Sequence, residues 1–90
     1  QKSNQIWIFN AWHEFEDRAQ MLVKIIDALE EGGTIIIEEE ISKSERLQHE
    51  GCGKDLFFEK EIIDEFAKAG LHHVASKTKD EVAIYLKFRK

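Results

Sequence analysis

The sequence predicts an α/β fold of element order β-α-β-α-β-β, layered in two or three tiers, with a parallel strand pair and a C-terminal antiparallel hairpin. Three observations predict it. Two short apolar runs, Ile6-Trp7-Ile8-Phe9 and Thr34-Ile35-Ile36-Ile37, flank a stretch of helical periodicity. A second helical stripe follows at Ile62, Ile63 and Phe66 and stops at Gly70. Finally, Val82, Ile84, Leu86 and Phe88 alternate with Ala83, Tyr85, Lys87 and Arg89, which is the period-2 pattern of a strand.

Each element has its own justification. Ile6 to Phe9 is continuously apolar, as a strand covered on both faces would be. From about Glu16 to Glu31, the apolar positions Ala19, Leu22, Ile25, Ile26 and Leu29 form one buried stripe. Glu14, Glu16 and Asp17 place negative charge at that helix's start, where the dipole favours it. Gly32 is suited to a left-handed C-cap, because glycine bears no Cβ penalty there. Thr34 to Ile37 is the second buried run, and two strands joined by a helix should lie parallel. Residues 41–55 have no clean periodicity and read as a loop. A second helix is predicted over Glu59 to Ala69, a strand over Leu71 to Lys79, and a polar turn at Lys79-Asp80-Glu81 leads into the last strand.

The chain of 90 residues makes one small domain, 1–90, with a thin stability margin. Its 42% hydrophobic and 34% charged content is that of a globular rather than a disordered protein. The net charge of −5, with Lys and Arg scattered, argues against nucleic acid as a partner. The sequence holds no apolar stretch near the roughly 20 residues that span a bilayer, so no membrane partner is expected. Cys52 is the single cysteine, which excludes an internal disulfide and fits a cytoplasmic location. The chain opens Gln1-Lys2-Ser3-Asn4-Gln5 without an initiator methionine and reads as the middle of a longer gene product.

The polar residues gather behind the first strand, at Asn10-Ala11-Trp12-His13-Glu14-Phe15-Glu16-Asp17. In open α/β sheets ligands bind at the carboxyl ends of the strands. Within that loop Trp12-His13-Glu14-Phe15-Glu16-Asp17, then Ile26-Asp27-Ala28-Leu29-Glu30-Glu31-Gly32-Gly33, the run Thr34-Ile35-Ile36-Ile37-Glu38-Glu39 and the helix Leu56-Phe57-Phe58-Glu59-Lys60-Glu61-Ile62-Ile63-Asp64-Glu65-Phe66-Ala67-Lys68-Ala69-Gly70-Leu71 resemble the C-terminal half of a class I S-adenosylmethionine-dependent methyltransferase, from its fourth to its seventh strand. The resemblance covers about residues 5–89 and implies a partial Rossmann-like sheet. The glycine-rich loop and the ribose-binding acidic residue of that family belong to its front half and have no counterpart here. Gly51-Cys52-Gly53 is the single G-x-G, and no strand leads into it.

By that resemblance, Asn10, Ala11 and Trp12 lie along the methionine end of S-adenosylmethionine, and His13 matches an active-site position. A neighbouring carboxylate would raise the His13 pKa into a range useful for acid–base work, and the alternative is a residue that caps the turn. Methyl transfer from a sulfonium often needs no base, only positioning and desolvation of the nucleophile. Trp12 stands either in a substrate pocket or in the core, and Trp7, within a strand, reads as core or as a contact with the absent half. Of Glu38, Glu39 and Glu40, alternation lets only some face a pocket mouth. Glu39 is the candidate substrate-binding carboxylate, set against a solvated strand end. His49 and Cys52 are suitable zinc ligands, but two ligands are not a site. His72 and His73 face opposite ways on a strand and cannot chelate together.

The first strand carries a further expectation. In the fold resembled it is central, so without the front half its far side presents unpaired backbone groups on an uncharged segment. Its expected partners are the missing N-terminal half or a second copy, pairing through Ile6 to Phe9. The leading functional reading is thus part of a small-molecule methyltransferase that forms one wall of the cofactor and acceptor pocket and is inactive alone. The alternative is a free-standing small α/β interaction module that recruits a partner strand.

Overall fold

The computed structural model describes residues 2–9, 12, 15–42 and 56–90. Its elements are β1 (Ser3–Phe9), α1 (Arg18–Ala28), β2 (Leu29–Glu40), α2 (Glu59–Lys68), β3 (His72–Thr78) and β4 (Ala83–Arg89), the order expected from the sequence. They form one mixed sheet of strand order β1-β2-β4-β3. β1 and β2 run parallel, with Ile6 opposite Ile35 and Phe9 opposite Glu38. β4 is antiparallel to both β2 and β3, so the chain ends in the expected hairpin.

Helix α1 begins where Asp17 accepts the Gln20 N–H at 3.0 Å on its Oδ1, satisfying a donor that has no partner within the helix. It ends earlier than periodicity suggests. Leu29 is fully buried and already extended, at φ −92° and ψ 140°, so burial of this side chain with β2 takes over from the helix. Gly32 does adopt a left-handed φ of +77°, but within β2 rather than at the helix end. The carbonyls at that end are met instead by Lys90, whose Nζ donates to the Ile26 and Leu29 oxygens at 2.8 Å each. The ammonium also sits at the negative end of the α1 dipole. At the start of α2 the Phe58 N–H donates to Glu61 Oε1 at 2.8 Å. At its end Leu71 N–H reaches back to the Phe66 carbonyl at 3.1 Å.

Both helices pack on the same side of the sheet. Ile8, Ile35, Ile37, Ile84, Leu86 and Phe88 share a core with Leu22 and Ile25 of α1 and Ile62 and Phe66 of α2. Phe66 stacks on Phe88 with ring centres 4.3 Å apart. Among the described residues the opposite face carries no helix. There Trp7 is 46% and Phe9 59% exposed, their rings stacked on each other at 5.6 Å. Trp7 is thus not core: β1 buries only its Ile6 and Ile8 side, because the sheet is covered on that side alone. In the hairpin turn, Asp80 Oδ1 accepts from Val82 N and Ala83 N at 2.9 and 3.0 Å. From this turn Lys79 pairs with Glu38 of β2; that hydrogen bond, and then the Glu38 charge, raise the Lys79 pKa above the ordinary lysine value.

Candidate functional site

The carboxyl ends of β1 and β2 lie side by side, and Trp12 is held over them. Its backbone N–H donates to Glu39 Oε2 at 3.0 Å, and its indole Nε1 donates to Glu65 Oε1 at 2.8 Å. Its carbonyl accepts from Phe15 N at 3.3 Å. The ring meets Phe66 and Phe15 edge-on, at 4.9 and 5.4 Å between centres. Trp12 is fully buried, as is Glu39. The pairing follows from strand alternation: along β2, Ile35, Ile37 and Glu39 face the helices, while Glu38 and Glu40 face the other way and are half-buried. A buried carboxylate requires hydrogen-bond donors, and here the main chain of Trp12 supplies one of them.

Glu65 ties this corner to α1. Arg18 Nε donates to its Oε2 at 2.9 Å and its Oε1 at 3.2 Å, and the Arg18 guanidinium lies 4.5 Å from the centre of the Phe57 ring. One carboxylate therefore serves both the Trp12 indole and the first turn of α1. Neither Glu65 nor Arg18 stands out in the sequence, since on a helix of acidic and basic residues no local pattern marks the one that reaches a tryptophan 53 positions away. Between α1 and α2 a groove of about 650 Å³ runs along Arg18, Leu22, Val23, Phe57 and Glu65. The cleft beside Glu38, Glu39 and Glu40 holds about 80 Å³, well short of the roughly 300 Å³ at which small-molecule sites begin.

Of the candidate residues, Trp12 and Glu39 are brought together, while Asn10, Ala11 and His13 lie outside the described residues. His49 and Cys52 also lie outside them. Among the described residues no group of three or more His, Cys, Asp or Glu is arranged to hold a metal ion. No described helix is long and apolar enough to cross a membrane. Trp12 has its N–H, its carbonyl and its indole N–H all engaged within the chain, so it offers no spare donor to a ligand.

No family model and no curated protein matches the sequence. Solved structures do match the fold. The [4+2]-cyclase SpnF superposes with a TM-score of 0.84 at 10% identity, over 99% of this chain and 50% of that one. The glycopeptide N-methyltransferase MtfA, complexed with S-adenosyl-L-methionine, gives 0.76 at 11% identity, over 98% and 54% of the two chains. An O-methyltransferase family 2 protein from Planctomyces limnophilus, complexed with apigenin, gives 0.79 at 16% identity, over all of this chain and 31% of its own. This chain spans about half the length of the first two and a third of the last. An α/β order of β-α-β-α-β-β on a mixed four-stranded sheet, matched over nearly its whole length, makes this a partial class I S-adenosylmethionine-dependent methyltransferase fold.

Proposed function

We propose that the chain is part of a small-molecule S-adenosylmethionine-dependent methyltransferase and forms one wall of the cofactor and acceptor pocket. The observation that carries this reading is the conjunction of two facts. The fold matches about half of such enzymes, and β1 is a sheet edge with nothing paired on its outer side among the described residues. The cofactor would supply a methyl group activated on a sulfonium. The chain's own share is to hold Trp12 at the strand ends and to exclude water there. His13 either orients the acceptor or caps the turn. The fold alone does not set the reaction, since one neighbour is a cyclase.

Calorimetric titration of S-adenosylmethionine is the test. The intact gene product, with the front half of the fold, is expected to bind with measurable heat, and the 90-residue chain to give none. An intact product that gives no heat sinks the reading.

One observation favours the second reading, a module that acts by recruiting a strand. The outer edge of β1 carries no charge or proline, and Trp7 and Phe9 stand exposed beside it. Both readings place a partner on this edge. Light scattering on the 90-residue chain should accordingly show self-association, reduced by Trp7→Lys. A stable monomer of the unaltered chain counts against self-association through this edge.

A further inference from the structure

We infer that Glu39 is a positioning residue: its buried carboxylate holds the main chain of Trp12 at the ends of β1 and β2 and thereby sets the wall against which the cofactor's methionine end rests. The inference rests on the function proposed above and deepens it, because Glu39 then acts through the backbone of the loop and not by touching the methyl acceptor.

Four observations lead to it. Glu39 is fully buried, in the last turnings of β2, where the inward series Ile35, Ile37 would otherwise continue with another apolar side chain. A carboxylate there is costly unless it is used. One use visible in the structure is the 3.0 Å bond from Trp12 N to the carboxylate near the end of β2. The register agrees: Phe9, the last residue of β1, lies opposite Glu38, so the next inward residue of β2 is the one placed to reach over the departing chain. Finally, the other groups of Trp12 are also tied, the indole to Glu65 on α2 and the ring to Phe66. A side chain fastened at this many points to β2 and α2 is a pin. In sequence it stands between Ala11 and His13.

The arrangement also assigns different work to the two carboxylates. Glu65 holds the indole and shares its charge with Arg18, so its loss would loosen α1 and α2 as well as Trp12. Glu39 holds the backbone. A carboxamide in its place keeps one acceptor oxygen and the same shape, whereas an alanine leaves the Trp12 N–H without this acceptor.

The test pairs Glu39→Gln and Glu39→Ala with Ile62→Val as a control for general loosening of the core. In the 90-residue chain, hydrogen exchange of the Trp12 amide, measured relative to the β4 amides, should rise about tenfold in Glu39→Ala and less in Glu39→Gln. In the intact gene product, S-adenosylmethionine affinity should fall by about tenfold or more in Glu39→Ala, recover in large part in Glu39→Gln, and stay unchanged in Ile62→Val. Unchanged exchange at Trp12 in Glu39→Ala overturns the clamp itself. Faster exchange with cofactor affinity equal to that of Ile62→Val overturns the positioning role while leaving the methyltransferase reading intact. Failure of the unaltered intact product to bind the cofactor overturns both, with the exchange result still deciding whether the clamp exists. Should Glu39→Ala not fold, Glu39→Gln decides: it keeps one acceptor oxygen, so an about tenfold fall in affinity with Trp12 exchange unchanged would overturn the inference.

Discussion

Phe66→Ala is expected to destabilise the chain by about 3–5 kcal/mol, the usual range for removing a large buried aromatic ring. The ring is fully buried and occupies the junction of three elements: its own helix α2, Phe88 of β4 at 4.3 Å, and Trp12 at 4.9 Å. Little can collapse into the space, because Phe88 and Leu86 are fixed by the β2–β4 ladder on one side and Trp12 by its hydrogen bonds on the other. Domains of this size are stable by roughly 0.05–0.15 kcal/mol per residue. The expected loss is therefore a large part of the whole, and the urea midpoint of the variant should fall steeply. Urea titration followed by far-ultraviolet circular dichroism measures it. A loss below about 1 kcal/mol would mean that the α2–sheet contact is not what holds this side of the molecule together. Phe66→Leu should retain much of the stability but lose the aromatic edge on Trp12, separating packing volume from ring geometry.

How much of this could be read from the sequence depends on the range over which each feature is encoded. The alternation of Val82, Ile84, Leu86 and Phe88 and the stripe Ile62, Ile63, Phe66 are local, and β4 and α2 fall where those patterns put them. The end of α1 is not local. Its periodicity runs on to Glu31, yet the chain turns extended at Leu29, because that side chain is buried with β2 and because Lys90, 61 positions on, takes the carbonyl. The environment of Trp7 is encoded at longer range still. A continuous apolar run is the mark of a strand covered on both faces, but nothing in the run says whether the cover lies in the same polypeptide. Here it does not among the described residues, and Trp7 and Phe9 are exposed. The candidate site divides in the same way. Alternation singles out Glu39 from Glu38 and Glu40 as the inward carboxylate, which is a local fact. That it meets the Trp12 backbone is a consequence of parallel register, and that Glu65 meets the indole is a consequence of where α2 packs. Neither has a trace in spacing or composition.

Gly33→Ala should cost about 1–3 kcal/mol, by crowding and not by backbone strain. A Cβ at Gly33 would lie 2.8 Å from the Glu30 carbonyl oxygen, 3.0 Å from Leu29 Cδ2 and 3.3 Å from the Asn4 carbonyl oxygen of β1. Two of these atoms are backbone, and the third belongs to a fully buried leucine. None can swing aside as a surface side chain would. Gly32 is the internal comparison: its φ of +77° disfavours any Cβ, but the space beside it is empty. Gly32→Ala should therefore lose only the roughly 1 kcal/mol of a left-handed residue. The pair separates the two reasons for a glycine at adjacent positions, and equal losses in thermal or urea melts would refute the distinction. The positions differ in reach as well. To accommodate a Cβ at Gly33, β1 must move away from β2 near Asn4, close to the irregularity in their pairing between Ser3 and Gln5. A shift that propagated along β1 would carry Phe9 out of line with Glu38 and lengthen the 3.0 Å bond between Trp12 and Glu39. Faster exchange of the Trp12 amide in Gly33→Ala, but not in Gly32→Ala, is the expected signature of β1 acting as the rigid arm that presents the loop.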